Sequence, residues 1–178
     1  MARLSLFSIR RAAISSPRVR FFSAQSLGAL GESKDRETLE ALVELIRDGT
    51  IGEVRMIQVA FSYDLGDSDQ AYANIRRRND VAGGGIMDVG CYTASMARFI
   101  AVAALGLTVP AEPDSLKGVS HVGTRGRVDE WAAAVARFPG GSSSSSDIVV
   151  NMICGTRARV QSDVRVWGSG GSMVVPIP

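Results

Sequence analysis

The chain has 178 residues, 46% of them apolar and 21% charged, with a formal net charge of +2 at pH 7. That length suits one domain with a real hydrophobic core, and no run of eighteen apolar residues predicts a membrane span. Two cysteines, Cys91 and Cys154, and the single His121 fit no metal-ligand spacing, which argues against zinc and catalytic-triad chemistry.

Residues 1–31 hold Arg3, Arg10, Arg11, Arg18 and Arg20, with serines between them and no acid. Arg-rich, Ser-rich and acid-free is the composition of an organellar transit peptide. Arg20-Phe21-Phe22-Ser23 resembles a matrix-protease cleavage site, so residues 1–24 are expected to direct the chain to mitochondria. A disordered basic tail or a mis-joined coding segment would have the same composition. Without these arginines the rest of the chain carries more acid than base, so its charge gives no argument for nucleic acid.

Residues 25–35 read as a linker. Leu39, Leu42, Val43 and Ile46 then fall at i, i+3, i+4 and i+7, predicting an amphipathic helix, with Gly49 as its left-handed stop. From Val54 to Tyr63 a period of two predicts a strand, apolar enough on both sides to be largely covered. Asp64 to Asp80 is polar and irregular, and carries Tyr72 and the run Arg76-Arg77-Arg78. Those arginines can hold a hydroxyl, carboxylate or phosphate, or form a solvated loop.

The most informative stretch is Gly83-Gly84-Gly85-Ile86-Met87-Asp88-Val89-Gly90-Cys91-Tyr92. Three glycines let the backbone approach a neighbour closely. Met96, Phe99, Ile100 and Ala103 then predict a helix from about Gly90 to Ala104. Asp88 and Tyr92 are four residues apart and so project from one side of a helix. A phenol that exchanges a proton beside a carboxylate that orients it is a proton-transfer pair. Each residue also has a plainer role, Asp88 as a helix N-cap and Tyr92 as a half-buried core tyrosine.

A loop with Pro110 and Pro113 follows. Val128 to Phe138 has β-type flanks around the helix-favouring Ala132-Ala133-Ala134. Gly140 to Ser146 reads as a turn, and Ile148–Ile153 and Val164–Trp167 as short strands. Tyr63 and Trp131 read as packing residues. About five strands and two main helices give an α+β domain: a mixed, mostly antiparallel, open-faced sheet with helices packed on one face.

Gly83-Gly84-Gly85 with Asp88, Gly90 and Tyr92 resembles the substrate-domain signature of the Gfo/Idh/MocA oxidoreductases. The flanks are similar too: Leu45 to Val54, Val128-Asp129-Glu130-Trp131 through Gly141, and Val166 to Ser172. The resemblance covers roughly Arg36 to Pro178 and decides for a strand at Val128–Phe138. It implies NAD- or NADP-dependent hydride transfer at a CH–OH carbon of a sugar, polyol or dihydrodiol. Tyr92 and Asp88 would be catalytic, and Gly83, Gly84, Gly85 and Arg76 would lie near substrate or cofactor. It also implies a homo-oligomer formed through the open sheet face. The family's Rossmann half, with its Gly-x-Gly-x-x-Gly turn and Glu-Lys-Pro lysine, has no counterpart here. Gly28 and Gly31 lack the third glycine, and Lys34 and Lys117 are the only lysines. The expectation is therefore a substrate domain without its cofactor half and truncated at its end.

Overall fold

The computed structural model describes residues 33–141 and 146–177. The expected targeting segment and most of the linker lie outside the described residues. Helix α1, Ser33–Arg47, starts inside the segment read as linker. Its Leu39, Leu42, Val43 and Ile46 are all buried, as their spacing requires. Gly49 follows with φ +76°, a conformation that costs a side chain about 1–2 kcal/mol and glycine nothing.

Strand β1, Val54–Ser62, comes next. The stretch read as irregular contains a short helix α2, Asp69–Ala73, whose Ala71 N–H is accepted by the Ser68 hydroxyl at 3.2 Å. Two 3₁₀ turns follow, Ile75–Arg77 and Asn79–Val81. A π-helical turn, Ile86–Gly90, leads directly into α3, Cys91–Ala104. The remaining strands are β2 (Ser115–Val122), β3 (Asp129–Phe138), β4 (Ile148–Gly155), β5 (Asp163–Gly168) and β6 (Ser172–Pro176).

The six strands form one sheet in the order β2-β3-β4-β1-β5-β6. Only β1 and β4 run parallel, with Val59 opposite Met152; the other neighbours are antiparallel. One sheet face supplies Ile57, Val59, Ala136, Phe138, Val150, Val164 and Val166 to a core closed by α1 and by Met96, Phe99 and Ile100 of α3. Each large apolar side chain buried there stabilises the fold by about 1.5–3 kcal/mol. On the opposite face Met56, Val135 and Val149 are exposed, so the expected open-faced α+β architecture is the one observed.

The sequence reading gave about five strands and named β1, β3, β4 and β5, but neither β6 nor β2. All eight residues of β2 are exposed, because an edge strand beyond the reach of the helices buries neither face and leaves no clear alternation. The alanine run does lie in a strand. Ala134 pairs with Gly118 of β2, and a side chain there would come within 3.1 Å of the Ala134 methyl. The helical stretch from Asn79 to Ala104 is long and apolar enough to cross a bilayer, but half of its most apolar part is buried within the fold.

Candidate functional site

Three strand ends converge on the glycine turn. Beyond β1, the Tyr63 N–H donates to Gly155 O of β4 at 3.0 Å, and beyond β4 the Thr156 N–H donates to Glu130 O of β3 at 2.9 Å. At the start of β3, Asp129 Oδ2 accepts the Ile86 N–H at 2.6 Å. A strand residue thus occupies a donor that the helix itself cannot satisfy. The capping reading of Asp88 is not what forms: its carboxylate faces other partners, and its own N–H donates to Gly84 O at 3.0 Å.

Gly83, Gly84 and Gly85 make close approach possible on two sides. The Gly84 N–H donates to Arg76 O at 2.8 Å, docking the turn on the arginine segment. A Cβ on Gly83 would lie 2.5 Å from Ile75 O; one on Gly84 would lie 2.2 Å from Asp129 Oδ1. Gly84 also has φ +132°, a region that only glycine adopts without strain. The glycines therefore serve contacts within the protein.

Asp88 is gripped through both oxygens. Arg76 Nε donates to Oδ1 at 2.8 Å, and the Tyr63 hydroxyl donates to Oδ2. Burial, then the hydrogen bond and charge of Asp88, push the Tyr63 phenol well above its ordinary range; the positive charges of Arg76 and Arg77 oppose this more weakly. The hydrogen bond and charge of Asp88 in turn keep Arg76 firmly protonated.

Tyr92 sits one helical turn beyond Asp88. It is half-buried, with its ring 6.1 Å from that of Phe61, and is close enough to Arg76 to interact with its charge. Among the described residues no hydrogen bond joins Tyr92 to Asp88; the carboxylate's partners are Arg76 and Tyr63. Asp88 lies in the π turn, where Cys91 N–H reaches back to Ile86 O, and such turns recur at functional sites.

The three arginines diverge. Arg76 and Arg78 are about half exposed, with Arg78 on Asp80. Arg77 is 1% exposed. Its Nη2 donates to Thr156 O at 3.1 Å, and its guanidinium lies 4.9 Å from the centre of the Tyr72 ring. Neither its Nε nor its Nη1 has a partner among the described residues.

Behind the site, Glu130 is buried and takes hydrogen bonds from Tyr72 and Arg157, both of which also reach Asp67. This network braces the loop after β1. Trp131 is partly exposed and stacks on His121, with centroids 4.1 Å apart.

Sequence reasoning singled out Asp88, Tyr92 and Arg76, which the fold gathers. It missed Tyr63 and Asp129. Tyr63 was legible only as the last residue of an alternating run, and nothing in that run marks a phenol that leaves the sheet to meet a carboxylate.

The sequence model described as the GFO/IDH/MocA C-terminal domain matches residues 39–174. The chain belongs to this family. Mouse trans-1,2-dihydrobenzene-1,2-diol dehydrogenase is 30% identical over 109 residues, 60% of this chain and 28% of that protein. The aldose-aldose oxidoreductase of Caulobacter crescentus, solved with glycerol, superposes with a TM-score of 0.59 at 23% identity, over 76% of this chain and 36% of that one. A 3-ketoreductase variant from Actinomadura kijaniata, solved with TDP-benzene and NADP, gives 0.59 at 19%, over 83% and 38%. The GFO/IDH/MocA C-terminal domain thus spans about a third of the length of these relatives.

The glycine turn is not itself a phosphate cradle, because the Gly83 and Gly84 N–H groups already donate to Arg78 O and Arg76 O. The Cβ directions of Gly83, Gly84 and Gly85 end on protein atoms, where a phosphate-binding turn needs open backbone N–H groups.

Proposed function

We propose that this domain is the substrate-binding and oligomerising half of an NAD- or NADP-dependent oxidoreductase acting on CH–OH groups of sugars, polyols or dihydrodiols. The cofactor is expected on a Rossmann half, as the family resemblance implies. Asp88 carries the reading. Held at Oδ1 by Arg76 and at Oδ2 by Tyr63, it is a carboxylate with fixed direction, which is what orienting a substrate hydroxyl requires. Tyr92 gives or takes the proton at the substrate oxygen. An ordinary phenol titrates near pH 10, so a neighbouring cation is needed for work near neutrality. The family resemblance implies the Glu-Lys-Pro lysine of the Rossmann half as that cation.

The test is to isolate the native protein from its own cells, determine its mass and N-terminus, and assay NAD(P)-linked turnover of polyols and trans-dihydrodiols. Turnover is expected only in a species that also contains a dinucleotide-binding half, on the same chain or a partner. Tyr92→Phe should lower it by about 100-fold or more. Turnover unchanged in Tyr92→Phe would sink the proposal. An N-terminus near Ser23 would support mitochondrial import.

The Arg- and Ser-rich, acid-free composition of residues 1–31 favours a second reading, a non-catalytic imported binding and dimerisation module. It is separated from the first by ligand binding without turnover in every native species.

A further inference from the structure

The arginine segment carries more positive charge than its partners cancel. Arg76 is paired with Asp88 and Arg78 with Asp80. Arg77, buried between them in sequence, has a carbonyl and an aromatic ring as partners but no carboxylate among the described residues. A buried guanidinium without a carboxylate partner is costly.

At the surface of this segment Arg76 is fixed in an unusual way for a half-exposed side chain. Its Nε is committed to Asp88 at 2.8 Å, and neither Nη nitrogen has a partner among the described residues. A guanidinium anchored by Nε presents its remaining N–H groups as a rigid fork, the geometry that matches two oxygens of a carboxylate or phosphate. Repulsion from Asp88 is weakened, because both of its oxygens already accept from Arg76 and Tyr63. Ile75, Ile86 and Met87, close to these residues in sequence, are exposed large apolar side chains.

From this we infer that Arg76 is a specificity-determining residue which binds an oxyanion substituent, carboxylate or phosphate, on the hydroxylated substrate that Asp88 orients. The inference rests on the functional reading above and narrows its substrate class from polyhydroxy compounds in general to acidic ones. Asp88 and Tyr92 would address the reacting hydroxyl while Arg76 fixes the acidic end of the same molecule.

The test is an NMR titration of the 178-residue protein with glucuronate, glucose 6-phosphate and glucose, following the Arg76 Nε–H and the amides of 86–92. At least one acid is expected to bind about tenfold or more tightly than glucose; which one identifies the oxyanion. In Arg76→Gln the ratio of acid to glucose affinity should fall to about one, whatever the change in glucose affinity itself. Arg76→Lys, which keeps the charge but not the fork, should retain a reduced preference. Equal affinities for all three ligands, no binding of either acid, or a preference that survives Arg76→Gln overturns the inference. Glucose binding at the 86–92 amides without an acid preference would leave the broader proposal standing. Acid binding that shifts Arg76 but not those amides would instead count against the broader proposal.

Discussion

Asp129 Oδ2 accepts the backbone N–H of Ile86 at 2.6 Å, across 43 positions of sequence. The helix bearing Asp88 and Tyr92 therefore takes its first hydrogen bond from the sheet, and its position is tied to β3. Asp129→Ala should lose about 1 kcal/mol, as helices do when a capping acceptor is removed. Asp129→Asn, which keeps an oxygen, should lose less. Urea denaturation of the three proteins measures the difference; equal stabilities would mean that water replaces the carboxylate without loss.

Two glycines separate backbone strain from steric overlap. Gly49 and Gly84 both have positive φ, but nothing lies within 4 Å of a Cβ on Gly49, whereas Asp129 Oδ1 lies 2.2 Å from one on Gly84. Gly49→Ala should cost about 1 kcal/mol from conformation alone. Gly84→Ala should cost at least about 2 kcal/mol, strain and overlap together. Thermal melts of both variants give the comparison, and a Gly84→Ala protein no worse than Gly49→Ala would refute the close approach.

Burial and Asp88 raise the Tyr63 phenol above its ordinary value in the folded state. The folded protein thus keeps a proton that the unfolded chain releases above about pH 10. The linked stability is fully present below that pH and falls as pH rises through the alkaline range. Cys154, pushed up to about 11 chiefly by burial, acts with the same sign from a lower starting point. Tyr63→Phe should flatten the decline in denaturant stability above pH 10 and leave the Cys154 share. An unchanged slope would separate Tyr63 from Asp88.

The elements that bury a periodic face could be read from the sequence. Leu39 to Ile46 and Met96 to Ala103 carry one helical stripe each, and β1 carries its alternation into the centre of the sheet. Strand β2 could not be read, because no burial imposes a pattern on residues exposed on both faces. The site divides along the same line. Asp88 and Tyr92 are neighbours on one helix, so local spacing reveals them. Tyr63 and Asp129 reach the helix from the sheet, a relation fixed only by strand pairing.

The two thiols should differ in reactivity. Cys154 is buried, while Cys91 is exposed although burial of its sulfur raises its pKa as well. A thiolate reacts and a thiol does not, so alkylation at pH 8 should modify Cys91 slowly and Cys154 only on unfolding. Mass spectrometry of the labelled protein distinguishes them. Prompt labelling of Cys154 would mean that β4 opens in the native state.

Met56 and Val149 lie opposite each other on β1 and β4, Val135 lies on the same sheet face of β3 opposite Asn151, and all three are exposed. Contiguous apolar surface of this kind favours association. If the open face joins two copies, Val135→Glu should shift sedimentation to the monomer without lowering the melting temperature of the isolated domain. A sedimentation coefficient identical to that of the parent protein would rule this face out as the contact.

The parallel pairing of β1 with β4 also sets an order of events in time. The central strand is made early, yet its neighbours β4 and β5 lie roughly a hundred residues further along, with Met56 opposite Val149 and Trp167. Long-range pairings of this kind slow folding, because a large loop must close before any contact rewards it. During synthesis β1 emerges with no partner and waits, apolar and unpaired, until β4 and β5 have been made. That interval is when the nascent domain is most exposed to aggregation, and it makes the speed of translation between β1 and β5 part of how this domain reaches its fold.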